Sequence, residues 1–354
     1  MMICIVLGTR PEIIKFSPII RELLNKKINF FIIHTNQHYD ENMDSVFFRE
    51  LMLPNPKYNL NIGSASHAQQ TGTMMQKIEP ILIKEQPTYV IVQGDTNSTL
   101  AGALTASKLN IKLVHIEAGL RSYDNTMPEE KNRILVDHIS DYLFCPTRIQ
   151  AQILLKEGIA ENKVIVSGNT ISDAVNCNLE LAYKNSEILN TLNLSNNFAL
   201  LTLHRPSNVD DPTKLSQLLS SIDRISQEYS LEIVFPIHPR TLNIIAKYHI
   251  TIPTSIKVIE PTKYLDTLIL ISKSKIVYTD SGGIQEESCI LKTPCITLRD
   301  NTERPETIEV GASILSNHEY DNLKKASEKL IYSDRDWMNP FGEKVTERII
   351  NMLK

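Results

Sequence analysis

The run Asp280-Ser281-Gly282-Gly283-Ile284-Gln285-Glu286-Glu287 has the residue types needed to hold a phosphorylated ligand. Small residues let the backbone approach a diphosphate, the helix that follows offers free N–H groups, and a carboxylate one to two turns later can accept both hydroxyls of a ribose. Glu287 has that spacing. The competing reading is a tight turn followed by a solvated Glu pair. A second constellation is acidic. Asp95 in QGDT, Glu117 in HIEAGLRS and Glu129 beside Glu130 lie just past apolar runs or at the start of an amphipathic helix, and His204 in LHRPSN ends another run. Carboxylates gathered in a dry site repel one another, so some are driven toward the neutral acid while others stay basic, which is what proton transfer in both directions needs. Structural pairing is the alternative for each. Arg121 is close enough in sequence to neutralise Glu117, and Glu129 or Glu130 could complement a helix N-terminus.

Gly8-Thr9-Arg10-Pro11-Glu12, with Lys15 one helical turn on, reads as an anion site or as an ordinary turn with two solvated cations. His238 in IHPR and Arg304 in NTERPE follow later runs, and Arg304 would serve as a second clamp on a diphosphate. The chain contains neither G-x-G-x-x-G nor G-x-x-x-x-G-K-[ST], which removes the dinucleotide fingerprint and the P-loop. His34 and His38 are spaced i,i+4 but flank a strand end, where that spacing does not align two imidazoles. No metal is expected.

These residues need a frame. Apolar runs near 2–7, 29–34, 88–93, 111–116, 142–145 and 163–167, then near 198–203, 231–237, 255–259, 275–279 and 294–298, alternate with longer amphipathic stretches. That is the pattern of buried parallel strands with covering helices. The fold class is therefore α/β, two Rossmann-like doubly wound halves facing across a cleft, because parallel strands need crossovers that cover both sheet faces. In such sheets ligands bind outside the carboxyl ends of the strands, where the candidate residues fall. The expected division is 1–169, carrying the carboxylates, 170–335, carrying the Ser-Gly-Gly turn, and a C-terminal amphipathic helix from about 336 with no docking site legible.

With 354 residues and 42% hydrophobic content the chain has ample core for two domains. Lys+Arg 37 against Asp+Glu 41, with 6% aromatics, disfavours a nucleic-acid partner. Cys4, Cys145, Cys177, Cys289 and Cys295 are scattered with no C-x-x-C, and read as buried thiols of a reducing compartment. The N-terminal stretch has no basic n-region, and no run of about 20 apolar residues follows. A cytoplasmic, non-membrane protein is the expectation.

Taken in order, GTRPEIIK, TNQHYD, QGDT, HIEAGLRS, MPEE.NR, GNT.SDA, LHRPSN, HPR, DSGGIQEE and NTERPE resemble the non-hydrolysing UDP-N-acetylglucosamine 2-epimerases. The resemblance implies a glycosyltransferase-B-like fold that interconverts UDP-GlcNAc and UDP-ManNAc with no metal or nicotinamide cofactor. In it Asp95, Glu117, Glu129 and His204 match catalytic positions. Arg10, Lys15, His238, Ser281, Gly282, Gly283, Glu287 and Arg304 match positions that bind the nucleotide sugar. Gln37 and His38 match part of a site at which many bacterial members bind a second, activating UDP-GlcNAc, whereas Gly63-Ser64-Ala65-Ser66-His67 departs from that pattern in lacking an arginine. The family's route eliminates UDP to give 2-acetamidoglucal and adds it back, and a homodimer serving polysaccharide or glycan synthesis is implied. The alternatives are a hydrolysing 2-epimerase, releasing UDP and free ManNAc or a related diacetamido sugar, and a UDP-sugar sensor.

Overall fold

A computed structural model describes residues 1–36 and 47–354, so Gln37 and His38 lie outside the described residues. The first series of apolar runs forms β1 (Met2–Leu7), β2 (Asn29–His34), β3 (Tyr58–Asn59), β4 (Tyr89–Gln93), β5 (Lys112–Ile116), β6 (Tyr142–Cys145) and β7 (Val164–Val166). They make one parallel sheet in the order β3-β2-β1-β4-β5-β6-β7. The second series forms β8 (Phe198–Thr202), β9 (Glu232–Pro236), β10 (Ile256–Ile259), β11 (Ile276–Thr279), β12 (Cys295–Thr297) and β13 (Ser313–Leu315). These make a second parallel sheet, β10-β9-β8-β11-β12-β13. Helices cover both faces, so Ile3 through Leu7 are all fully buried and the strand reads as a continuous apolar run rather than an alternating one. The α/β class with two doubly wound sheets is the one expected. In each sheet the strand order reverses beside the first strand, between β1 and β4 and between β8 and β11, which is where such sheets open a crevice for ligands.

The chain forms two compact units, Met1–Ala174 with Phe341–Lys354, and Val175–Pro340. The C-terminal stretch returns to the first unit, and its helix packs against the helix Arg10–Asn25. That helix is shorter than the amphipathic pattern from 336 predicts. It spans only Val345–Met352, because Pro340 and Gly342, the latter at φ 80, interrupt the helical backbone before it. β3 and β13 were not expected, since two or three residues at a sheet edge leave no run long enough to register as a strand. None of the five cysteines forms a disulfide among the described residues, and Cys177 is exposed on the helix Thr170–Asn185, against the expectation that every thiol is buried. Among the described residues no helix is long and apolar enough to cross a membrane.

The turn after β1 shows how local sequence sets the frame of a site. Glu12 accepts from the backbone of Gly8 at 2.9 Å and of Thr9 at 2.8 Å, closing a capping box at the start of the helix Arg10–Asn25. The same carboxylate accepts from Thr96 at 2.8 Å and Thr99 at 3.1 Å, so it ties the loop after β1 to the loop after β4. Burial pushes its pKa above the usual carboxylate value, against the pull of these hydrogen bonds. Gly8 permits the close approach, for a Cβ there would lie 2.0 Å from Thr35 Oγ1 and 2.2 Å from Ser98 Oγ. Pro18 lies inside the same unbroken helix, and the Ile14 carbonyl, which its missing N–H cannot bond, accepts from Ser17 Oγ at 2.8 Å.

Candidate active site

In the first unit β4 and β5 are neighbours, which brings the segments that follow them to one rim. Glu117 leaves β5 with φ 71, a left-handed conformation that non-glycine residues seldom adopt and that is held here by its own and Ala118's N–H groups both bonding the Phe144 carbonyl at 3.0 and 3.1 Å. Its carboxylate is 5% exposed and takes Lys15 Nζ at 2.6 and 2.7 Å. A Cβ on Gly94 would lie 3.9 Å from Glu117 Oε2, so the carboxylate sits against the residue that precedes Asp95. Arg121 does not neutralise Glu117. It bonds Asp137 at 2.7 Å and Glu157 at 2.6 and 2.8 Å instead.

Asp95 pairs with Arg133, whose other terminal nitrogen meets Glu130 at 3.0 Å. Glu130 is itself buried, accepting from the backbone N–H groups of Ser122 and Tyr123 at 2.9 Å each. Burial raises its pKa, and those hydrogen bonds with Arg133 outweigh it, leaving the carboxyl below the usual range. The two adjacent glutamates therefore divide. Glu130 is structural, whereas Glu129, on the first turn of the helix Pro128–Ile139, is half-buried and has no side-chain partner among the described residues. The two cations of the first turn also diverge, for the exposed Arg10 lies over the Phe47 ring at 4.5 Å while Lys15 reaches Glu117.

Beneath these loops lies a buried network. His115 donates through Nδ1 to Asp137 at 2.7 Å and faces the Gly94 carbonyl through Nε2 at 2.9 Å. Asp137 also accepts from Gly119 N at 3.2 Å, so one carboxylate braces the segments on both sides of Glu117. Burial raises the Asp137 pKa, and His115 and Arg121 outweigh it, holding the carboxyl below its ordinary value.

In the second unit Ser281 caps the helix Gly282–Ile290, with Gly282 and Gly283 forming its first turn. The pair that follows is not solvated. Glu286 is 1% exposed and takes Arg304 Nε at 2.6 Å, and Glu287 is 8% exposed. Arg304 is thus anchored by a buried carboxylate at the turn next to Ser281-Gly282-Gly283, a placement suited to a phosphate clamp. His204 follows β8, with Nδ1 3.0 Å from Asp280 Oδ1, and its ring lies 5.6 Å from that of His238, centroid to centroid. Asp280, the Lys15–Glu117 pairing and the buried His115–Asp137–Arg121 network are features the local sequence does not show. Asp280 was on view as the first residue of the Ser-Gly-Gly run, yet nothing local says that its side chain turns toward β8. His34, one of the two spaced histidines, is buried edge-on to Phe48, and burial lowers its pKa to about 4.

Residues 21–354 match the family model described as UDP-N-acetylglucosamine 2-epimerase. A protein of that name from Methanocaldococcus jannaschii is 54% identical, covering 100% of this chain and 99% of its own. A UDP-2,3-diacetamido-2,3-dideoxy-D-glucuronate 2-epimerase from Pseudomonas aeruginosa is 41% identical over 89% of this chain and 88% of its own. The crystal structure of the Methanocaldococcus jannaschii UDP-GlcNAc 2-epimerase with UDP-GlcNAc and UDP superimposes with a TM-score of 0.88 at 55% identity, covering 100% of this chain and 99% of that one.

Proposed function

The chain belongs to the UDP-N-acetylglucosamine 2-epimerase family, and on that premise we propose that it interconverts UDP-GlcNAc and UDP-ManNAc without net hydrolysis. C2 of an N-acetylated pyranose is not next to a carbonyl, so direct removal of its proton is slow. In the proposed route a base takes the C2 proton as the C1–O bond to UDP breaks, giving UDP and 2-acetamidoglucal with a C1–C2 double bond. A proton then returns to C2 on the other face and a UDP oxygen re-forms the bond at C1. Asp95, Glu117, Glu129 and His204 carry the proton transfers. Arg10, Lys15, His238, Ser281, Gly282, Gly283, Glu287 and Arg304 hold the nucleotide sugar and stabilise the departing diphosphate. The observation that carries this reading is Glu117, buried in a left-handed kink, charge-paired to Lys15 and packed against the residue before Asp95. A cytoplasmic homodimer supplying glycan synthesis completes the proposal.

Nuclear magnetic resonance of UDP-GlcNAc with the enzyme in deuterated water tests it. UDP-GlcNAc and UDP-ManNAc are expected to approach equilibrium with deuterium entering C2 of both. Free N-acetylmannosamine with stoichiometric UDP would establish the hydrolysing alternative, and bound UDP without turnover the sensor. The similarity to the diacetamidoglucuronate epimerase makes that UDP-sugar the second substrate to try.

Glu287 is assigned to the ribose hydroxyls. Two charge-assisted hydrogen bonds of this kind are worth about 1.5–3 kcal/mol, so Glu287→Gln is expected to weaken UDP binding by about 10- to 100-fold in calorimetry. Looser holding should also let the glycal and UDP escape during turnover, detectable by mass spectrometry. Unchanged UDP affinity would remove Glu287 from the nucleotide site.

A further inference from the structure

We propose that Asp280 and the first turn of the helix Pro239–Tyr248 hold His204 and His238 in opposite tautomers, so that the two rings offer the nucleotide sugar one Nε2 acceptor and one Nε2–H donor. The proposal rests on the reading of both histidines as site residues. Asp280 is fully buried between β11 and Ser281, and it accepts from the backbone N–H of His204 at 3.0 and 3.1 Å, that of Arg205 at 2.9 Å and Asn208 Nδ2 at 3.2 Å. These bonds fix the carboxylate in place and, with it, the backbone on which His204 stands. Its remaining contact is His204 Nδ1 at 3.0 Å. An ionised carboxylate only accepts, so Nδ1 must carry a proton, and in the neutral ring the lone pair is left on Nε2. Asp280 stays ionised. Burial raises its pKa, but the His204 and backbone hydrogen bonds outweigh that and hold it below the usual range.

His238 has the reverse constraint. It is the N-cap of the helix, and its Nδ1 accepts from the Arg240 backbone N–H at 3.1 Å. An amide N–H only donates, so Nδ1 must hold the lone pair and the proton resides on Nε2. Partial desolvation and then the facing His204 ring lower its pKa, which favours the neutral form this bond requires. The two rings are 5.6 Å apart and tilted by 41°. Asp280 is a positioning residue in this arrangement, acting through His204 as the aspartate acts in a Ser-His-Asp triad. A proton that His204 Nε2 takes from C2 as UDP leaves passes to solvent, and the group that protonates C2 on the other face regains its proton from solvent, so each ends the turnover as it began.

The test is a two-bond proton–nitrogen correlation spectrum of the imidazoles in the full-length, ¹⁵N-labelled protein near pH 8, with signals assigned by their loss in His204→Asn and His238→Asn. His204 is expected to be protonated on Nδ1 and His238 on Nε2. Both rings in the same tautomer, or His204 protonated on Nε2, would overturn the proposal. In Asp280→Asn the His204 pattern is expected to switch to Nε2–H and kcat to fall by about 10²-fold or more, with KM and UDP affinity within about threefold. A folded Asp280→Asn with normal kcat would also overturn it. If that variant does not fold, the wild-type spectrum still decides the tautomers. Full turnover in His204→Asn is a separate result, which would overturn the catalytic reading of His204 itself.

Discussion

Glu117→Gln is expected to lower the rate of UDP-GlcNAc and UDP-ManNAc interconversion by about 10²- to 10⁴-fold, with nucleotide-sugar affinity changed far less. The amide keeps the shape of the side chain but removes its charge and its ability to take a proton. The loss falls on a residue whose environment was already costly. Glu117 occupies a left-handed backbone, is 5% exposed, and is paired with a Lys15 ammonium at 2.6 Å. In the variant Lys15 keeps its charge beside a neutral amide, so the pair's net charge goes from zero to +1 while a base is lost. Asp95→Asn, Glu129→Gln and His204→Asn are expected to lower turnover by about 10²-fold or more each, and because groups acting in one reaction do not add, a double variant should lose little beyond the worse single one. Stopped assays and calorimetry with UDP separate chemistry from binding. Near-normal turnover in two or more of the four would show that proton transfer is carried elsewhere.

The largest stability effect is expected at Asp137, which touches no candidate ligand group. Asp137→Ala should destabilise the first unit by about 3–5 kcal/mol at pH 7, because it removes at once the buried acceptor shared by His115 Nδ1, Arg121 Nη1 and the Gly119 N–H, the first two on side chains 0% and 1% exposed. The pH dependence follows from the depressed pKa of the folded carboxyl. The unfolded chain holds its proton up to an ordinary value near 4, so the stabilisation is fully present above about pH 4 and is lost as pH falls through the lower, folded value. Urea titrations of wild type and variant should therefore differ most near neutrality and converge below about pH 4. A difference under about 1 kcal/mol at pH 7 would mean that the network is not a structural brace. Since Asp137 holds Gly119 and, through His115, the Gly94 carbonyl, weakened catalysis in folded Asp137→Asn would be a secondary consequence of loosening the segments around Glu117.

Sequence alone determined whatever a short window encodes. Apolar runs of four to seven residues marked β1, β2 and β4 to β12, because both faces of a parallel strand are buried and the run stays apolar. The polar residues just beyond those runs marked the candidate groups, and their order along the chain carried the family resemblance. Edge strands such as Tyr58–Asn59 left no such trace, and Pro340 and Gly342 cut the C-terminal helix to Val345–Met352 despite an amphipathic pattern that begins earlier. The tertiary structure decided the pairings. Arg121 is four residues from Glu117, yet Lys15, 102 residues away, is its counter-ion, because β1, β4 and β5 lie side by side and deliver the helix after β1 to that rim. Glu286, on the helix after β11, meets Arg304 on a later turn, and Asp280 reaches back 76 residues to His204 because β11 is hydrogen-bonded to β8. A charge is neutralised by whatever the fold brings within about 4 Å, and strand order, which no local window contains, sets that neighbour.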